Sequence, residues 1–252
     1  MDIQDLTNGF YVPSYDPKDV KAVVKKEVDP RALEMPCYSS IPVNQLEADH
    51  PAVKFLHKDF LYDLDRYAIE YGIVYVPSDG GKVFRTTAPY TTSAERLIFP
   101  VFFNKKMVGW QMRSIPGTFY GDRKDVVRYY HLFDKGSYVF NYDNAIQHDE
   151  VIVVEGVKKA LKFPNAVATW GTGISNPQMQ IIQQWDRIVM MLDGEEHNGT
   201  QQRAKEFVEG LKTAGKKAIN IDLRSYGVTS PDDLPAETLQ NIVREEWCEQ
   251  YA

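Results

Sequence analysis

The sequence predicts an α/β protein in two parts, an N-terminal α+β segment followed by a mostly parallel α/β sheet with helices on both faces. Three observations predict it. After His148 short apolar runs alternate strictly with helical stretches, the signature of consecutive βα units, and right-handed crossovers then cover both faces of a parallel sheet. Ahead of that point RLIFPVFF (96–103) and MVGWQMRSI (107–115) are joined by NKK, which reads as a β-hairpin. Glu155 and Asp193 each stand immediately after an apolar run, in VIVVEG (151–156) and RIVMMLDGEEHNG (187–199). Ligands of such sheets sit in the crevice at the carboxyl ends of the strands, so both carboxylates are expected in one pocket, where they most simply hold a hard divalent cation.

The elements follow in order along the chain. Residues 1–45 contain Pro13, Pro17, Pro30, Pro36 and Pro42 with no sustained period, and read as an extended tail or linker. HPAVKFLHKDF (50–60) reads as an amphipathic helix started by an Asp49 cap and Pro51, and LYDLDRYAIEYGI (61–73) continues in the same manner. GKVFRT (81–86) adds a further β signal, so 46–148 is expected to form an α+β domain. In 149–235 the expected strands are 151–154, 166–169, 187–192 and 217–222, with helices 157–163, 177–185 and 200–213 between them. A last helix spans 236–250, within a C-terminal segment 236–252. The glycine-flanked loop GTGISNP (171–177) reads either as a strand-to-helix turn with Pro177 in the first helical turn or as a phosphate or template contact. It matches neither of the glycine-rich nucleotide fingerprints.

Composition narrows the functional classes. With 252 residues, 43% hydrophobic and 12% aromatic, the chain is ordinary globular material long enough for two domains, each with its own core. No apolar stretch is long enough to span a membrane and the start MDIQDLTNGF lacks a secretory pattern, so a cytoplasmic setting is expected. Cys37 and Cys248 are isolated, which excludes a zinc ribbon in this chain and argues against a disulfide framework. Although the net charge is −6, eight basic residues stand against three acidic ones between Arg96 and Lys135. Such a segment reads as a solvated surface or, with Phe99, Trp110, Phe119, Tyr129 and Tyr130 interleaved, as stacking faces beside cations for a single strand, although most of those aromatics read as core.

These residues carry a family resemblance. Segment 151–233, with EG after the first strand, ATWGTG after the second, LDGEEHNG after the third and SPDDLP near its end, resembles the TOPRIM domain of DNA primases, topoisomerases and some nucleases. The preceding HPAVKFL, RLIFPVFFNKKMVGWQMR and VRYYHLFDKGSYVFNYDNA resemble, in order and spacing, the catalytic core of bacterial and phage primases, with a compact style closer to the phage-encoded ones. The resemblance covers about 46–235 and implies a primase-core α+β subdomain leading into a TOPRIM domain. It implies that Glu155, Asp193 and Glu195 are catalytic and hold Mg²⁺ or Mn²⁺, with Asp232 as a further metal-facing acid. It also implies that Arg96, Arg113, Arg128 and Lys135 line a groove for single-stranded DNA template and ribonucleoside triphosphates. The implied setting is DNA replication in the cytoplasm, that of the host if the chain is phage-encoded, with no membrane partner.

The chain departs from the family pattern at three places. Lys159 stands where an acid usually follows the first Glu by four residues, Glu195 replaces the second acid of Asp-x-Asp, and Ser230-Pro231-Asp232 replaces Asp-Pro-Asp. Each change removes or displaces an anionic ligand. The family's usual zinc-binding and helicase-coupling domains are either supplied by another protein or dispensed with in a reduced primase-like protein that has another task. Three readings therefore stand: a primer-synthesising nucleotidyltransferase, a catalytically degenerate primase-like module that binds nucleic acid or docks a protein, and a TOPRIM nuclease, for which the basic half has no use.

Overall fold

The computed structural model describes residues 40–57, 64–77, 95–118, 127–194 and 199–251, and the expected strand 81–86 lies outside them. Two sheets organise the described residues. The first is a five-stranded antiparallel meander of β1 (Ile41–Pro42), β2 (Val74–Val76), β3 (Arg96–Phe103), β4 (Lys106–Ser114) and β5 (Tyr129–Leu132), in that spatial order. Residues 41–45, read from the sequence as the end of the tail, belong to this body, because Ile41 and Pro42 pair with Tyr75 and Val74. Pro42 is tolerated there because β1 is an edge strand.

The β3–β4 hairpin turns on Asn104 and Lys105, whose φ values of 53° and 61° give the mirror-image turn that matches strand twist. Between β1 and β2, α1 (Pro51–His57) and α2 (Leu64–Ile69) cover the sheet. At the start of α1 the side chain that accepts from the first turn is His50, whose Nδ1 takes the Ala52 N–H at 3.1 Å, in place of the expected Asp49 cap.

A short helix α3 (Tyr142–Ala145) leads into the second sheet, formed by β6 (Glu150–Val154), β7 (Ala166–Ala168), β8 (Arg187–Met190) and β9 (Lys217–Asn220). Its order is β7-β6-β8-β9, with every pairing parallel. The connecting helices are α4 (Val157–Ala160), α5 (Asn176–Ile182) and α6 (Thr200–Thr213), and α7 (Ala236–Tyr251) closes the chain. The β-branched run of β6 is buried on both sides. Ile152 and Val154 join the core under α4 and α7, while Val151 and Val153 join the one under α5 and α6. This is the doubly covered sheet that strand–helix alternation predicts, with α4 ending at Ala160 rather than 163 and β8 and β9 each ending two residues before the expected bounds.

The two halves share their core. Leu97, Phe99 and Ile115 of the antiparallel half are buried in the same cluster as Ile152 and Leu161, and Val101 and Phe103 in the same cluster as Val151 and Ile181. The Tyr67 hydroxyl also donates to the Leu161 carbonyl at 3.3 Å across the boundary. One face of a short antiparallel meander is apolar and needs a cover, and the α/β half supplies it.

Candidate active site

In the second sheet the chain moves from β6 to β7 on one side and then crosses to β8 on the other, so the carboxyl ends of β6 and β8 form the topological switch point. Glu155 is the first residue past β6, and Asp193 lies three past β8. The two are brought together there: the Asp193 N–H donates to Glu155 Oε1 at 3.2 Å, and Glu155 is 9% exposed. The loop carrying Asp193 is pinned by Gln201 of α6, whose Nε2 donates to the Leu192 and Asp193 carbonyls at 2.8 and 3.3 Å. A Cβ at Gly194 would come within 2.8 Å of Arg224 Cγ, so any larger residue there displaces the Arg224 side chain.

Lys159 pairs with Asp193. Its ammonium donates to Asp193 Oδ2 rather than pointing to solvent, with the two side chains 13% and 15% exposed. Lys158, one residue earlier, stands 3.9 Å from Asp232 Oδ1 and 5.5 Å from the Phe55 ring. Ser230 is committed to the backbone: its hydroxyl accepts the Asp232 N–H at 3.3 Å, and Asp233 accepts the Ser230 N–H at 3.1 Å, closing a capping box.

The antiparallel sheet supplies the opposite wall by its period of two. Register pairs Phe99 with Gln111, Gln111 with His131, and Arg113 with Tyr129, so these five side chains share one face. All five line a cavity of about 530 Å³ that also receives Lys135, Glu155, Lys158, Lys159 and Asp232. Arg113 stacks over Tyr129 at 4.5 Å and over Phe55 at 5.6 Å, and burial holds its guanidinium below the ordinary range. Trp170 lines the cavity from the end of β7 in a left-handed conformation, φ 69°, held by its indole N–H to the Tyr138 carbonyl at 2.9 Å. The described lining carries the cations Arg113, Lys135, Lys158 and Lys159 against Glu155 and Asp232, a positive balance suited to a polyanion.

Of the residues expected in the site, Glu155, Asp232, Arg113 and Lys135 share this cavity, and Asp193 joins it through Lys159. Arg96 does not line it. Its register partner is Ser114, so it falls on the sheet face opposite Arg113, 1% exposed, with Nη1 donating to the Val127 carbonyl at 2.9 Å. Burial, then the neighbouring charge of Arg113, lowers its pKa to about 10. Arg128 is exposed outside the lining and contributes its carbonyl to Ser114 N–H at 3.0 Å. Glu195 lies outside the described residues, as does Phe119, while Trp110 and Tyr130 pack on the face away from the cavity.

The loop 171–177 is a built strand-to-helix turn in which Ser175 caps α5 and forms a capping box with Gln178. Beneath it Gln178 Nε2 donates to the carbonyls of Lys135, Tyr138 and Thr169 at 2.8–3.0 Å, tying the loop to the segment that carries Lys135.

Gln111, His131, Lys158 and Trp170 were missed by sequence reading. Alternation along β4 and β5 is the signal that finds the first two, since each lies two residues from a side chain already suspected. Burial, then the charge of Lys135, holds His131 below its ordinary value of 6.5. The unfolded chain therefore takes up this proton first on acidification, and the corresponding stability is present above the ordinary value and lost as pH falls below it. Replacing His131 with Gln is expected to flatten the melting-temperature profile between about pH 7 and about pH 5, read by circular dichroism.

No family model matches the chain, and no curated protein matches it. Among solved structures its fold matches the DnaG catalytic core with a TM-score of 0.51 at 18% identity, over 71% of this chain and 66% of that one. The chain thus matches just under two thirds of that structure's length, and at this identity the likeness is one of fold.

Proposed function

We propose that this protein is a primase-like nucleotidyltransferase that makes short RNA primers on single-stranded DNA with the help of a divalent cation. One observation carries the reading: at the switch point of a parallel sheet the Asp193 N–H binds the buried Glu155 carboxylate, beside a cleft lined with cations and aromatic rings. The likeness to the DnaG catalytic core supports it at the level of fold. Glu155 and Asp193 would hold Mg²⁺ or Mn²⁺, with Glu195 and Asp232 as further acids. Asp193 Oδ1 is a fitting donor, being buried with no hydrogen-bond partner among the described residues. When bound, such an ion supplies Lewis-acid polarisation of a phosphate and eases ionisation of the attacking hydroxyl.

The chain's own groups do the rest. Arg113, Lys135 and Lys158 neutralise phosphate charge along the cleft, and Tyr129, Phe55 and Trp170 offer faces on which bases stack. We place it with the phage-type primases, acting in replication in the host cytoplasm with a zinc-domain or helicase partner. Among the described residues no helix is long and apolar enough to cross a membrane.

The second reading, a non-catalytic module that binds nucleic acid, is favoured by the ammonium seated on Asp193 and by the lack, among the described residues, of three clustered metal-ligating side chains. Incubating the full chain with ribonucleotides, Mn²⁺ and a mixed-sequence single strand separates the two: oligoribonucleotides are expected, slowly unless a zinc-domain partner is added, and binding without synthesis supports the module. Both readings require phosphate contacts. Replacing Lys135 with Ala should lower the salt dependence of single-strand binding by about 0.7 in the log–log slope. Arg96→Met should leave that slope unchanged, since Arg96 faces away from the cleft, and anisotropy titrations in increasing salt read both.

A further inference from the structure

Two consecutive lysines stand directly behind Glu155, and each meets one acid of the cleft: Lys158 meets Asp232 and Lys159 meets Asp193. We propose that Lys159 is a resident counter-cation of Asp193, which a divalent ion must displace before Asp193 can ligate it. This inference rests on the metal-dependent reading above and adds to it a competitor built into the chain.

The geometry makes the competition direct. Lys159 holds Oδ2 of the same carboxylate whose Oδ1 is buried without a hydrogen-bond partner among the described residues. A hard cation on Asp193 would therefore sit within a few ångströms of an ammonium, and two cations at that distance repel strongly in a partly buried site. Three features allow Lys159 to leave. It lies on a helix of only four residues, its stem is long and flexible, and its side chain borders the 530 Å³ cleft, which gives the ammonium solvent and space. Three features also hold it in place when the ion is absent. Asp193 is fixed by its own N–H to Glu155 and by Gln201, both side chains of the pair are mostly buried, and the neighbouring Asp232 is already next to Lys158. The consequence is a site that stays neutralised and folded without metal and binds metal weakly on its own.

The test uses Mn²⁺ as the probe, with free Mn²⁺ measured by electron paramagnetic resonance on the full-length wild type, Lys159→Gln, Asp193→Asn and the double variant. Lys159→Gln is expected to bind Mn²⁺ at least about tenfold more tightly than wild type, the order expected for removing one close like charge. Asp193→Asn should cancel that gain. In wild type, Mn²⁺ should also raise acetylation of Lys159 severalfold over that of the other lysines, read by mass spectrometry, which decides the matter without any variant if Lys159→Gln fails to fold. Equal Mn²⁺ affinity in wild type and Lys159→Gln, with binding lost on Asp193→Asn, overturns the competitor and leaves the metal site standing. Unchanged Lys159 acetylation with Mn²⁺ bound overturns it likewise. No Mn²⁺ bound by any of the four overturns the competitor and the metal reading together.

Discussion

Asp193→Asn is expected to reduce primer synthesis by about a thousandfold or more, equivalent to about 4 kcal/mol of transition-state stabilisation at roughly 1.4 kcal/mol per decade. Asparagine preserves shape and the backbone N–H to Glu155, so the loop held by Gln201 should stay in place. What changes is charge. The substitution removes the anionic oxygens that would hold a metal ion, and it leaves Lys159 as an unopposed cation facing the reacting phosphates. Single-strand binding should persist, because the cations proposed to contact phosphate are on other elements. The measurement is oligoribonucleotide yield per unit time on a fixed template, with binding followed in parallel by anisotropy. Synthesis at the wild-type rate would remove Asp193 from the reacting centre, and with it the metal-dependent reading.

The largest expected loss of stability lies in the other sheet, at Gly109. A Cβ built there would stand 2.5 Å from Phe133 Cβ and still closer to the Leu132 carbonyl oxygen, distances that real side chains do not adopt. The obstacle on one side is backbone, so relief requires moving β5 itself. Gly109→Val should cost about 3 kcal/mol, the upper end of overpacking penalties. For a chain of this size that lowers the melting temperature by roughly 6–12 °C. Because β5 carries Tyr129 and His131, single-strand affinity should fall with stability, whereas an exposed change such as Lys105→Gln should leave both unaltered. A Gly109→Val chain that melts with wild type would mean that β5 does not lie against this glycine.

Much of this architecture is local information. The β-branched run VIVV, the alternation after His148 and the NKK turn each specify an element through a period of 2 or of 3.6, and those periods are written in neighbouring residues. The weaker points have local causes too. Residues 41–45 look like tail because a two-residue strand has no period, and Asp49 reads as the α1 cap because histidine is an uncommon cap. The shared core was invisible for another reason: an apolar face announces that it needs a partner without saying which.

By itself the sequence determined that Glu155 and Asp193 follow two buried apolar runs, that a basic segment precedes them, and that Lys159 interrupts the acidic pattern. The tertiary structure decided which strands are neighbours, and through the order β7-β6-β8-β9 it decided that the Asp193 N–H comes against the Glu155 carboxylate. It also decided the side of each cation. Arg96 and Arg113 both belong to the same basic segment, yet a register that pairs Leu97 with Arg113 turns Arg96 to the opposite face, because a shift of one residue in a strand reverses every side chain. Lys159 reaches Asp193 across 34 residues of sequence, and no local period encodes such a pairing. Charges find their partners through crossovers and register, which the chain fixes only when its apolar faces have packed.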